Sequence, residues 1–202
     1  MKSELTEHFD KVRSTASEVD RVISLHSYPN DVATVMVRGL LAALLEHHRS
    51  ILQLLKSGAV NSSYALARDI VTGMRYGLWI TSSATEEQIR RIETGDEFPL
   101  TIPEMVKGIE AAYGTDPFFD GLKNQWATKL YKYTRSDVVQ LGRWHIGASS
   151  GLQWDNDEIR DVTTIATLCI VLLAAKFLAI QKHEADCLRI EALAADYVTP
   201  RP

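Results

Sequence analysis

A chain of 202 residues suits a single domain built around one sizeable core. With 22 Lys and Arg against 26 Asp and Glu, its formal charge of −4 excludes the broadly basic surface that indiscriminate polyanion binding needs. There is no Gly-rich phosphate loop, no G-x-S-x-G elbow, no paired-cysteine zinc spacing and no glutamate followed three residues on by histidine. Neither a metal nor a cofactor is therefore expected.

The first predicted element is an amphipathic helix from Ser3 to about Leu25, where Leu5, Phe9, Val12, Ala16, Val19 and Ile23 recur at threes and fours. Ser27 to Asp31 is a proline-containing connection, and a second helix starts at Asp31 and stops at Ser57-Gly58. Its apolar stripe includes His48, which reads as a satisfied core histidine. Asn61-Ser62-Ser63 are placed to cap a third helix that runs to about Ser82 on an apolar side of Leu66, Ala67, Ile70, Met74 and Leu78. Its other side carries Tyr64, Arg68, Thr72, Arg75 and Trp79 in one stripe at 100° per residue, alternating two guanidinium groups with aromatic rings. Such a stripe suits either an anion site or a pair of structural ion pairs.

A fourth, short helix begins at Thr85 and ends near Gly95, and a fifth opens at Ile102-Pro103 and stops at Tyr113-Gly114. A sixth carries Phe118, Phe119, Leu122, Trp126 and Leu130, with a break at Tyr133 to Asp137. Between Lys123 and His145, five cations (Lys123, Lys129, Lys132, Arg135, Arg143) face Asp137 alone, a net +4 interleaved with Trp126, Tyr131, Tyr133 and Trp144. That composition suits phosphate contacts with base stacking, or else a wet face over core aromatics. After Gly147 to Gly151, Trp154 to Asp157 caps a long helix expected to continue to about Tyr197. Residues 198–202 are left as a tail.

The centre of that last helix, Thr163 to Ile180, is apolar on every side and belongs in the middle of a bundle. Only fourteen uncharged residues separate Asp161 from Lys176, against about twenty for a bilayer span. Lys176 should pack its stem and send its ammonium to the surface or to a carboxylate. Cys169 and Cys187, on one continuous helix, would lie roughly 27 Å apart and could not bridge. No apolar signal region opens the chain, so a cytoplasmic protein with no membrane partner is expected. The predicted architecture is all-α, an up-and-down bundle of about seven helices around the apolar C-terminal one. It forms one domain over 1–202 with its core at about 31–182.

The stretches His48-Arg-Ser-Ile-Leu-Gln-Leu-Leu-Lys-Ser-Gly58, Ser62-Ser-Tyr-Ala-Leu-Ala-Arg-Asp69 and Gly77-Leu-Trp-Ile80 resemble uncharacterised bacterial helical proteins related to AbiV and the HEPN superfamily. The resemblance covers roughly residues 35–180. It implies a compact, often dimeric helical domain associated with RNA cleavage, nucleotide binding or phage defence, with a cognate antitoxin or defence-system protein as partner. On that resemblance Arg68, Arg135 and His145 are the catalytic candidates of a metal-independent endoribonuclease. Arg75, Lys132, Tyr133 and Arg143 would hold phosphate, and Trp79 would help shape the pocket. The chain departs from the superfamily's arginine-then-histidine signature, because Arg143 stands too close to His145 and Arg135 too far from it. Arg135 occupies the turn where the histidine would stand. The competing reading is a non-catalytic helical interaction or dimerisation protein.

Overall fold

The computed structural model describes residues 2–95, 101–114 and 155–198. Among them are seven helices and no strand: α1 (Lys2–Ser24), α2 (Val32–Lys56), α3 (Val60–Ser82), α4 (Glu86–Glu93), α5 (Ile102–Tyr113), α6 (Asn156–Ile180) and α7 (Glu184–Val198). The protein is all-α. The sixth predicted helix, with its break at Tyr133 to Asp137, and the Gly147 to Gly151 connection lie outside the described residues.

Most helix ends are set by local chemistry. The Asp31 carboxylate accepts from the Thr34 N–H at 2.9 Å and starts α2. Thr85 and Gln88 form a reciprocal capping box at α4. At α5 the Thr101 N–H donates to the Glu104 carboxylate at 2.8 Å, and Asp155 accepts from the Asp157 N–H at 3.1 Å to open α6. Gly58 and Gly95, at φ +82° and +79°, take the left-handed conformation that ends α2 and α4 at low steric cost.

Two expected boundaries differ. Asn61-Ser62-Ser63 do not cap α3. Gly58 reverses the chain so tightly that the Ala59 N–H donates to Leu54 O at 2.8 Å, and Ala59 becomes the capping residue with no side-chain bond. Asn61 and the serines are already inside the first turn, where the Ser63 hydroxyl donates to Val60 O. The long C-terminal helix is also not continuous. It stops at Ile180 in a Schellman motif, with His183 N–H donating to Leu178 O at 2.9 Å and Lys182 N–H to Ala179 O at 3.0 Å. Lys182 takes φ +63°, a conformation usually given to glycine. Cys169 and Cys187 therefore sit on two successive helices, both buried and neither in a disulfide.

α6 is the hub. Every residue from Val162 to Leu178 is buried, and α1, α2, α3 and α7 all pack on it. By length and composition α6 could cross a membrane, but 89% of its most apolar window is buried within the bundle, as in the core helix of a soluble protein. The core extends outward from it to Val19 and Val22 of α1 and to Ile190 and Ala194 of α7. Lys176 behaves as expected: its side chain is buried and its Nζ reaches Glu191 of α7 at 3.3 Å.

Threonines give α6 its only internal polar seam among the described residues. Thr163 Oγ1 donates to Ile159 O, and Thr167 Oγ1 to Thr163 O, so each oxygen is left to accept from a histidine. His8 Nε2–H of α1 donates to Thr163 at 2.8 Å, and His48 Nε2–H of α2 donates to Thr167 at 2.9 Å. One turn of α6 thereby fixes the register of two neighbouring helices. His48 is the core histidine that its position in the α2 stripe indicated, but it is satisfied only through Nε2, since its buried Nδ1 has no hydrogen-bond partner among the described residues.

Close approach of α3 to α6 depends on Gly77. A Cβ there would lie 2.5 Å from Leu173 Cδ1 and 2.7 Å from Cδ2, and Leu173 is fully buried, so it has little room to swing away. Gly77→Val is expected to destabilise the fold by about 2 kcal/mol through overpacking. In a Leu173→Ala background that penalty should shrink by about 1 kcal/mol or more, measured as a double-mutant cycle from urea midpoints. Strict additivity would show that the two helices do not meet at these residues.

Candidate functional site

The candidate site starts on α3. Two helices bury most of its circumference, α2 joined through a three-residue connection and α6 behind it, while α5 covers its C-terminal half. The expected alternating stripe therefore does not form. Tyr64 and Trp79 are core residues at 4% and 1% exposure, which leaves neither ring available to stack on a ligand. The periodicity was real, but a helix packed on several sides buries aromatic positions that a one-sided helix would expose.

The arginines of the stripe remain near solvent. Arg68 is exposed and Arg75 is half-buried, two turns further along the same side. The Arg75 charge is felt by the Cys169 thiol on α6. Burial dominates there and pushes the Cys169 thiol up to about 12, with Arg75 acting in the opposite sense. Cys169 is thus an inert core thiol rather than a nucleophile. Arg135, His145, Lys132, Tyr133 and Arg143 lie outside the described residues.

A second polar cluster, absent from any sequence motif, stands where the α1–α2 connection meets the α6–α7 turn. The His26 and His183 rings stack at 3.8 Å between centroids with 21° between planes, and His26 Nε2–H donates to the Asp186 carboxylate at 2.8 Å. Tyr28 presents its ring edge-on to both histidines and packs on Phe177 at 4.9 Å. Its hydroxyl donates to Ile23 O, and its phenol is held above the ordinary range chiefly by burial. Arg38 lies 5.3 Å over the Tyr28 ring. Local spacing carries no trace of this cluster, since 160 residues separate His26 from Asp186. Its role is tertiary, tying two chain reversals together. Among the described residues no group of three or more His, Cys, Asp or Glu converges as a metal site would.

A family model described as a family of unknown function, DUF6988, matches residues 41–200. No curated protein and no solved structure matches the chain.

Proposed function

We propose, for a chain that belongs to the DUF6988 family, that it is a HEPN-like protein that binds RNA or a nucleotide through phosphate contacts and has at most weak endoribonuclease activity. The observation that supports this reading is the pair Arg68 and Arg75 kept on one side of α3, with Arg68 exposed, in a chain whose net +4 segment also carries its remaining candidates. Along the helix axis the two arginines lie about 10 Å apart. Guanidinium forks suit phosphate better than any other side chain.

In this reading Arg68, Arg75 and Arg135 hold phosphate and stabilise charge, with Lys132, Tyr133 and Arg143 beside them. His145 is the general acid-base candidate. Arg135 keeps anion affinity but moves no proton, because guanidinium stays charged at physiological pH. Arg135→His is expected to raise cleavage of a labelled RNA or toxicity in cells, and adding Arg68→Ala should abolish the gain. A folded Arg135→His variant inert in both assays, together with an Arg68→Ala variant whose RNA binding is intact, would sink the reading. The toxin–antitoxin or anti-phage setting, with a cognate partner and a homodimer, follows from the resemblance, and the cytoplasmic location from the thiols and the N-terminal sequence.

The second reading is a non-catalytic interaction or dimerisation protein. It is favoured by Leu25, Val35, Ile102, Ile180 and Leu188, each at least 45% exposed. Purified protein free of nucleic acid by its 260 to 280 nm absorbance ratio, yet larger than 22.6 kDa by light scattering, would favour it.

A further inference from the structure

Three ion pairs between α1 and the rest of the bundle run in one sense. Among the described residues, Asp20 meets Arg49 of α2 at 2.6 Å, Glu18 meets Arg189 of α7 at 2.6 Å, and Glu4 meets Arg160 of α6 at 3.1 Å. Each carboxylate belongs to α1 and each guanidinium to the body. Arg49 and Arg189 flank α1 at nearly one level, gripped by carboxylates two residues apart, and Glu18 also holds Arg21 of its own helix through both oxygens at 2.8 Å. Their side chains are 57% and 52% exposed, leaving room for another anion to approach.

These pairs are not what holds α1 in place. Solvent-exposed ion pairs contribute little stability, whereas Phe9, Val12, Ala16, Val19 and Val22 are all buried beneath the helix. Their stronger effect is on what else the arginines can bind. Position matters too. A Cβ at Gly73 of α3 would touch Leu44 of α2, and counting along this antiparallel pair sets Arg49 level with Arg68.

We infer that Glu18 and Asp20 are a built-in competitor for phosphate. They mask Arg189, Arg49 and Arg21, which join the α3 arginines as contacts for single-stranded nucleic acid when the carboxylates are neutralised or displaced. The inference rests on the RNA-binding reading above and adds its regulation.

The test compares two double variants with the same charge change on the same helix. Glu18→Gln with Asp20→Asn frees the arginines. Glu7→Gln with Asp10→Asn removes exposed carboxylates that make no ion pair with the body among the described residues. Binding of a labelled single-stranded oligouridylate is followed by anisotropy across a salt series, with circular dichroism confirming the fold of each variant. The first double variant should bind about tenfold tighter at low salt and steepen the salt slope by about 2, for three added contacts at about 0.7 each. The second should match wild type, and adding Arg21→Gln, Arg49→Gln and Arg189→Gln to the first should cancel its gain. Equal tightening by both doubles would reduce the effect to net charge and overturn the inference, as would no tightening by either while Arg68→Ala still weakens wild-type binding. No binding by any variant at low salt would remove the RNA-binding reading and this inference together.

Discussion

Leu172→Asp is expected to leave the chain unfolded at neutral pH. Leu172 is 3% exposed, inside a run of α6 that is buried from Val162 to Leu178. A carboxylate there either stays charged without a partner or takes up a proton, and both cost several kcal/mol against a total stability of about 5–15 kcal/mol. The loss of leucine packing adds about 2–5 kcal/mol. Leu172→Met, which conserves volume, should lose less than about 1.5 kcal/mol and keep a cooperative transition. Far-ultraviolet circular dichroism and thermal melts read both outcomes. A soluble Leu172→Asp variant with an unchanged melting temperature would show that α6 is not the hub.

Stability should also fall on mild acidification, and His48 should be the cause. Desolvation, helped by the nearby Arg49 charge, lowers its pKa from 6.5 to about 4. The geometry explains the direction. Nε2–H already serves Thr167, so protonation must add an N–H at Nδ1, a buried atom that finds no hydrogen-bond partner among the described residues. Between about pH 6.5 and 4 the unfolded chain binds this proton and the folded chain does not. The stabilisation is therefore complete above the unfolded pKa and is lost as pH falls toward the folded one, a change of roughly 3 kcal/mol at 1.36 kcal/mol per unit.

Carboxylates held below their usual range, such as Asp31 through the Thr34 N–H and Glu104 through Thr101, act in the same direction but lower down, below the ordinary 3.8 and 4.5. Urea midpoints compared at about pH 7.5 and about pH 5 thus weigh chiefly toward the histidine. His48→Gln can still donate to Thr167 but does not titrate, so its stability should change less across that interval. Parallel pH profiles for wild type and His48→Gln would place the acid sensitivity elsewhere.

What the sequence determined by itself was whatever one helix can decide alone. Apolar spacing set the all-α character and the faces of α1 and α2. Capping chemistry at Asp31, Thr85, Thr101 and Asp155, with glycine at 58 and 95, set most boundaries. Even Lys176 and the core placement of His48 were legible, because a polar group within an apolar stripe must either snorkel to a partner or find one in place, as His48 does through Nε2 alone. The tertiary structure decided the rest. Lys182 ends α6 in a conformation its residue type does not signal, and Tyr64 and Trp79 are buried because α3 is covered by several neighbours rather than one. The His8–Thr163 and His26–Asp186 contacts and the arginines gripped by α1 join positions up to 171 residues apart, from Glu18 to Arg189. Such pairs leave no periodicity or spacing to read, since packing rather than local geometry brings them within hydrogen-bond reach.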